Sequence, residues 1–350
     1  MAADRICAAA MSGGVDSSAA AHLLRLAGCD VRGVTFRMHR IKGTEDPGVS
    51  AAAVCRALGI PHESVDAAAE FAAAVIADFV REYEAGRTPN PCVVCNRTIK
   101  FPLLLRYADS LAAGAEIATG HYARVVKSGS RFAVAKAADP AKDQSYMLWQ
   151  LPQDTLARLV LPLGGYTKDE IRALAREAQL PSAAARDSQD ICFIPDGDYA
   201  RFLADAGVPL PPGEFADEQG VFLGKAKNQA CYTIGQRRGL GIALGQPMFV
   251  TARDAAANRV VISPRDPCAK TVRASAAACM AAAPEDLAVP RRLSAKLRYT
   301  RAEFPCTAVL EGDRLTVTLD EPARAPAPGQ SLVLYDGDTV AAGGIIEDWE

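Results

Sequence analysis

Ser12-Gly13-Gly14-Val15-Asp16-Ser17-Ser18 decides how this chain is read. An apolar stretch, Ile6 to Met11, leads into it, and Ala19-Ala20-Ala21-His22-Leu23-Leu24 follows. That order is strand, glycine turn, helix. Glycine has no Cβ, so an anion can approach the main chain closely. The unpaired N–H groups of the first helical turn point at such an anion, and the helix dipole favours negative charge there. The segment therefore predicts a phosphate cradle after the first strand, in a nucleotide-using enzyme. An ordinary βα turn with Ser or Asp as helix N-cap is the bland alternative. A Walker loop is excluded, because no lysine follows the glycines.

Outward from the loop, the first half alternates strand-like and helix-like stretches. Ile6–Met11, Val31–Phe36 and Ile117–Thr119 read as buried parallel strands. Ser17–Ala27, Ala51–Leu58, Ala67–Tyr83 and Ile99–Ala112 read as helices rich in Ala and Leu. This pattern predicts a doubly wound α/β domain whose ligands sit at the carboxyl ends of the strands. The character changes near Pro195: Tyr199–Ala206 is still helical, but after Pro209-Leu210-Pro211-Pro212-Gly213 the pattern is short strands and glycine turns. From about Lys270 the chain reads as all-β, through Lys296–Tyr299, Cys306–Leu310, Leu315–Leu319, Ser331–Tyr335 and Val340–Ile346. Short strands at close spacing suggest a small barrel. The Ala-rich runs Ala276–Ala278 and Ala281–Ala283 read as compositional drift.

Bulk properties narrow the function. The 350 residues, 49% hydrophobic and 23% charged, fit two or three globular domains with a sizeable core. No apolar run reaches the ~18 residues of a membrane span. The apolar N-terminal stretch runs straight into the glycine loop, so no secretory signal is expected and cytoplasmic residence fits best. The ten scattered cysteines are expected as reduced thiols, any special pair being metal-binding or catalytic. A net charge of −2 means that a nucleic-acid partner would need a local basic patch.

Thr88-Pro89-Asn90-Pro91-Cys92-Val93-Val94-Cys95-Asn96-Arg97-Thr98-Ile99-Lys100-Phe101 carries the second chemical signal. Two prolines stiffen it, and a helix is expected to start soon after Cys95. A thiol there, flanked by Arg97 and Lys100, is expected to have a lowered pKa and to act as a nucleophile. A structural zinc half-site would need a second ligand pair, and none is present. Such a zinc site and inert thiols are the two alternatives. Cys192, in Asp187-Ser188-Gln189-Asp190-Ile191-Cys192-Phe193, has a similarly polar setting. Further polar strings are Gly120-His121-Tyr122-Ala123-Arg124, Lys142-Asp143-Gln144-Ser145-Tyr146 and the basic glycine loop Tyr232 to Leu240. Arg291, Arg292, Lys296, Arg298 and Arg301 form either a solvated face or the phosphate-binding patch that RNA requires. If Lys296–Tyr299 is a strand, Lys296 and Arg298 share one face.

Taken together and in this order, these strings closely resemble the tRNA-specific 2-thiouridylases, over nearly the whole chain. The glycine run resembles the PP-loop of ATP pyrophosphatases. The resemblance implies a PP-loop catalytic domain (1–200), a small central domain (201–267) and a C-terminal β-barrel that contacts tRNA (268–350). It implies ATP contacts at Ala10, Met11, Ser12, Gly13, Gly14, Val15, Asp16, Ser17, Phe36 and Gly120, with Mg²⁺ as cofactor. Cys95 matches the nucleophile that carries a persulfide, and Cys192 the second catalytic cysteine. Asn90, Pro91, Cys92, His121, Lys142, Asp143, Gln144, Arg298, Tyr299 and Gln330 match or lie at tRNA-contacting positions. The implied reaction is 2-thiolation of the wobble uridine of Lys, Glu and Gln tRNAs. The uracil oxygen is adenylated, and sulfur arrives from a persulfide donor or sulfur-relay protein.

Two features depart from the family pattern. Cys92 stands where many members have Asp, so Cys92, Cys95 and Cys192 resemble the three-cysteine set that holds a [4Fe–4S] cluster in related tRNA thiolases. Leu223-Gly224-Lys225-Ala226-Lys227-Asn228 lacks the His and second Gly that often precede the basic loop. A PP-loop amide synthetase and a non-catalytic RNA-binding or sulfur-carrier module remain as alternatives.

Overall fold

A computed structural model describes residues 5–39, 46–185 and 191–350. The chain divides into two compact units. The first comprises Met1–Val75, Cys92–Phe193 and Asp338–Ala341; the second comprises Ile76–Pro91, Ile194–Gly337 and Ala342–Glu350.

The first unit is built on five strands: β1 (Ile6–Ala10), β2 (Asp30–Arg37), β3 (His62–Asp66), β4 (Glu116–Ala118) and a short strand Leu159–Val160. They form one parallel sheet in the order β3, β2, β1, β4, Leu159–Val160. Cys7 and Ala8 are fully buried, as an apolar run in a central parallel strand requires. After β1 the chain adds β2 and β3 on one side and returns to add β4 on the other. The order therefore reverses between β1 and β4, and ligands of open α/β sheets bind at such a switch point, beyond the carboxyl ends. Helix α1 (Val15–Leu26) packs Ala19, Ala20, Ala21 and Leu24 into the core beside helix α2 (Pro47–Leu58), whose Val54, Cys55 and Leu58 are buried with them. A hairpin, Arg124–Ser128 with Arg131–Ala135, adds an antiparallel ribbon, and Thr339 pairs with its Ala135.

In the second unit, strands Gly213–Ala216, Phe222–Ala226, Phe249–Asp254 and Arg259–Ser263 form a four-stranded sheet. Phe215, Tyr232, Val250, Val260 and Ile262 make its core. Six further strands close on themselves through pairing of Cys268–Cys279 with both Arg314–Arg324 and the last strand, Thr339–Trp349. A closed barrel leaves no exposed sheet edge. The fold class is thus the expected one: a parallel α/β sheet, a small middle β-domain and a C-terminal barrel.

Two local expectations are corrected. Ala276–Ala278 is not drift but part of the barrel strand Cys268–Cys279, where the register shifts between Ser275 and Ala278 and Ala276 takes φ 49°. Small side chains tolerate that bulge. Lys296–Tyr299 is not a strand; the strand is Arg291–Lys296, and bends follow. Lys296 is buried, its Nζ 5.1 Å from the Tyr335 ring centre and 3.8 Å from Glu303, so it is no part of an exposed stripe with Arg298.

Candidate functional site

The glycine run forms the turn between β1 and α1. Gly13 takes φ +76°, and a Cβ there would lie 2.6 Å from the Ser50 Cβ, so both conformation and space demand glycine. Gly14 is the N-cap of α1 and no side chain caps the helix. The serines instead fold the loop inward. Ser17 Oγ meets Ser12 Oγ at 3.0 Å, and Ser18 Oγ donates to Gly14 O at 2.7 Å. The bland N-cap alternative is therefore not what the sequence builds. The Gly14 N–H meets Ser12 Oγ at 3.4 Å, and among the described residues no N-cap side chain occupies the N–H groups that follow, which leaves them open to an anion.

Asp16 stands in that first turn. Its Oδ1 accepts from Lys168 Nζ at 2.7 Å and from the Tyr122 hydroxyl at 2.8 Å. Lys168, 8% exposed, opens the helix Lys168–Glu177, which Thr167 and Glu170 begin with a reciprocal capping box. Asp139 also accepts from the Lys168 main-chain N–H at 3.1 Å. The Lys168–Asp16 ion pair thus lies beside the cradle. Tyr122 is set by Gln144, whose Oε1 accepts from the Tyr122 N–H at 2.9 Å. Asp143, also buried, accepts from Ala137 N, Ser145 N and Ser145 Oγ at 3.2, 3.1 and 2.9 Å. Of the residues read as tRNA contacts, Gln144 thus also bonds Tyr122, and Asp143 bonds Ala137 and Ser145.

Gly120 follows β4 and closes the other side of the cradle. A Cβ at Gly120 would fall 2.8 Å from both Asp16 C and Ser17 N, main-chain atoms that cannot swing away. Gly120→Ala is expected to cost ~1–3 kcal/mol of stability through overpacking; thermal melting checks this. Phe36 lies in β2, near its carboxyl end.

The cysteine segment departs from expectation. Its helix starts at Pro91, which suits a first-turn position, not after Cys95. Pro91–Cys95 runs into a π turn, Asn96–Lys100, in which Phe101 N donates to Asn96 O, and then into the helix Phe101–Leu111. Asn96 is 2% exposed, and its Nδ2 donates to Met147 O at 3.0 Å, tying the turn to the Gln144–Leu148 segment. Burial pushes the Cys95 thiol up, while the Lys100 ammonium and main-chain N–H oppose the rise. Burial also raises Cys92, and Cys192 to about 12. The lowered thiol pKa expected from the flanking cations is thus corrected: desolvation outweighs Lys100. Cys95 is 8% exposed, whereas Cys92 and Cys192 reach solvent.

Consecutive residues after β2 reach both sulfur-bearing segments. Cys95 Sγ lies 3.9 Å from Met38 Sδ, and His39 Nε2 hydrogen-bonds Cys192 O at 2.7 Å. The His39 ring also packs against Phe71 and Phe193. His121 stacks on Phe101 and bonds Thr119 Oγ1 through Nδ1 at 2.7 Å. Burial, aided by Lys100, drives its pKa well below the usual histidine value, so the ring is neutral at pH 7. All ten cysteines are free thiols. Asp187 to Asp190 of the Cys192 motif lie outside the described residues. Among the described residues no three Cys, His, Asp or Glu side chains converge to hold a metal ion. Among the described residues, Cys92, Cys95 and Cys192 are thus not gathered into a three-thiolate site.

Sequence reasoning missed Lys168 and His39. Lys168 stands 152 residues from its partner Asp16, and its only local signal is the capping box. The second unit holds the other expected RNA contacts. Arg298 donates to the carbonyls of Arg324 and Ala325, Tyr299 is 48% exposed, and Gln330 faces Thr88 and Pro89. No helix among the described residues is long and apolar enough to cross a membrane.

A glycine loop at a sheet switch point and free thiols, in one unit, give an α/β domain with an anion-binding edge. The tRNA methyl transferase HUP domain matches residues 5–196, a PRC-barrel domain of that family 200–264, and an aminomethyltransferase β-barrel domain 269–346. The chain is 42% identical to the tRNA-specific 2-thiouridylase MnmA of Acidithiobacillus ferrooxidans, covering 99% of this chain and all of that one. It is 44% identical to MnmA of Lachnoclostridium phytofermentans, covering 96% and 98%. The chain belongs to the tRNA-specific 2-thiouridylase family and is a tRNA sulfurtransferase. Among solved structures, the U34-tRNA thiolase NcsA of Methanococcus maripaludis, with its [4Fe–4S] cluster, aligns at 18% identity and TM-score 0.36 over 57% of this chain and 63% of that one, a likeness too slight to carry function.

Proposed function

We propose that the protein converts the wobble uridine of Lys, Glu and Gln tRNAs to 2-thiouridine, using ATP to activate the C2 oxygen and Cys95 to deliver sulfur. The observation that carries this reading is the joint occurrence, in one unit, of the uncapped loop with its Lys168–Asp16 pair and of two cysteine segments held by Met38 and His39. Ala10 to Ser17, Phe36 and Gly120 are the ATP-contacting set. The uracil O2 attacks the α-phosphate, and pyrophosphate leaves into the N–H groups of the first turn of α1, with Lys168 as the adjacent cation. Mg²⁺ fits a site of this kind through one carboxylate, Asp16, plus substrate phosphates, and would spread the charge of the leaving group.

Sulfur transfer follows at the activated C2. A Cys95 persulfide attacks C2 through its terminal sulfur and expels AMP, leaving a Cys95–S–S–C2 linkage. The Cys192 thiolate then attacks the Cys95 sulfur, forms a Cys95–Cys192 disulfide and releases the 2-thiouridine; a dithiol reductant reopens the enzyme. A raised thiol pKa disfavours accidental thiolates in the resting protein, and Lys100 is the cation within reach when charge develops. The target base must leave its stack to enter the site. Asn90, Pro91, Cys92, His121, Lys142, Asp143, Gln144, Arg298, Tyr299 and Gln330 are the proposed RNA contacts, in a cytoplasmic enzyme organised as domains 1–200, 201–267 and 268–350. Incubation with unmodified tRNA, ATP, Mg²⁺ and a persulfide donor is expected to give 2-thiouridine and AMP in equal amounts. Absence of 2-thiouridine with a competent donor would overturn the proposal.

A further inference from the structure

The chain leaves β2 at Arg37, and it is held to that point: Ala67 N donates to Arg37 O at 3.0 Å. The next two residues, Met38 and His39, each reach one cysteine segment, and all of these residues lie in the first unit. Met38 Sδ stands 3.9 Å from Cys95 Sγ. His39 Nε2 lies 2.7 Å from the Cys192 carbonyl oxygen. A carbonyl only accepts, so Nε2 carries the proton and donates. Nδ1 is buried with no partner among the described residues, and as the bare nitrogen it strands no N–H. Burial lowers the His39 pKa below the ordinary histidine value, against the pull of the Cys192 carbonyl, which keeps the ring neutral at pH 7. A second grip falls on the next residue. The His39 ring centre lies 5.7 Å from that of Phe71 and 6.5 Å from that of Phe193, and the two phenylalanine rings meet edge-on at 5.7 Å. Phe71 is fully buried, so the three rings fasten residues 192–193 to a fixed side chain.

We propose that His39 is a positioning residue for Cys192: its Nε2–H fixes the Cys192 carbonyl, and so the reach of the Cys192 thiol toward Cys95. The proposal rests on the reading of Cys192 as the thiol that releases 2-thiouridine. In that step the Cys192 thiolate bonds to Cys95 Sγ, the bond from Cys95 Sγ to the transferred sulfur breaks, and its electron pair leaves on the 2-thiouridine sulfur. Such exchange requires the attacking sulfur to meet one particular sulfur of the linkage. The Cys192 carbonyl carbon is bonded to the same Cα as its side chain. With that carbonyl held, the thiol moves chiefly by rotation about its own side-chain bond. A misplacement of about 1 Å at a reacting group slows chemistry by about 10²-fold.

His39→Phe keeps an aromatic ring and removes the donor; His39→Leu is the second donor-free variant, and thermal melting identifies any unfolded one. His39→Gln restores an N–H donor. Full-length enzyme carrying the Cys95 persulfide is mixed with ATP, Mg²⁺ and unmodified tRNA without added reductant. Three quantities are followed over a single turnover: AMP release, the disulfide-linked enzyme–tRNA adduct, and free 2-thiouridine tRNA. In the donor-free variants, adduct decay is expected to slow about tenfold or more, with AMP release and adduct formation within about twofold of the parent. His39→Gln is expected to recover part of the decay rate. Parental decay in a donor-free variant, an equal fall of AMP release and decay in a folded one, or no gain from His39→Gln would each overturn the proposal. Cys192→Ser run in parallel separates the two readings. If that variant frees 2-thiouridine at the parental rate, the reading of Cys192 has failed; if it traps the adduct while His39→Phe does not, only the positioning role has failed.

Discussion

Cys95→Ser is expected to abolish 2-thiouridine formation, with a fall of about 10³-fold or more, while tRNA-dependent AMP release continues. The split follows from where the two chemistries sit. The proposed ATP contacts lie in the turn between β1 and α1 and at Gly120, whereas Cys95 lies in the separate helix Pro91–Cys95. Cys95 contacts Met38 and faces Lys100, Cys92 and Cys192. Serine keeps the fold but cannot carry a persulfide, so activated uridine forms and is hydrolysed. Cys192→Ser is expected to stop one step later, with enzyme and tRNA joined by a disulfide that migrates as one band and is released by dithiothreitol. Loss of AMP release in Cys95→Ser would contradict the division of labour, and full thiolation would remove Cys95 from the mechanism.

Lys168→Met is expected to have the opposite signature: AMP release falls by about 10²–10³-fold, and thiolation falls with it because no activated uridine is made. Lys168 is the buried cation on Asp16, and its removal leaves that carboxylate beside a site built for anions. Two like charges then meet where pyrophosphate must form. Lys168→Arg, which keeps the charge, is expected to recover part of the rate. Rapid-quench measurement of AMP with saturating ATP and tRNA reads the effect, and tRNA binding serves as the control for folding. An unchanged AMP burst would mean that Lys168 only braces Asp16.

The residues near the loop were legible because their information is local. A short apolar strand, two glycines and an Ala-rich helix specify a βα turn without help from elsewhere, and the paired cysteine strings mark themselves by composition. Boundaries inside that picture shifted where a residue's role depends on its neighbours in space. Pro91 opens a helix that was expected after Cys95, since proline fits a first turn. Lys296 looked like a surface cation but lies against Tyr335, which its alternating charge pattern could not reveal.

Alone, the sequence determined the class of chemistry: an anion-binding loop, candidate nucleophilic thiols and an α/β frame joined to β-domains. Only the tertiary structure decided what surrounds those groups. It brought Lys168 to Asp16 across 152 residues, set Gln144 against Tyr122 and Asp143 against Ala137 and Ser145, and raised the thiol pKa values that flanking charges alone would lower. The physical reason is that helix starts and glycine turns are set by short-range sterics and hydrogen bonding, whereas desolvation and charge pairing depend on burial, which no run of adjacent residues encodes.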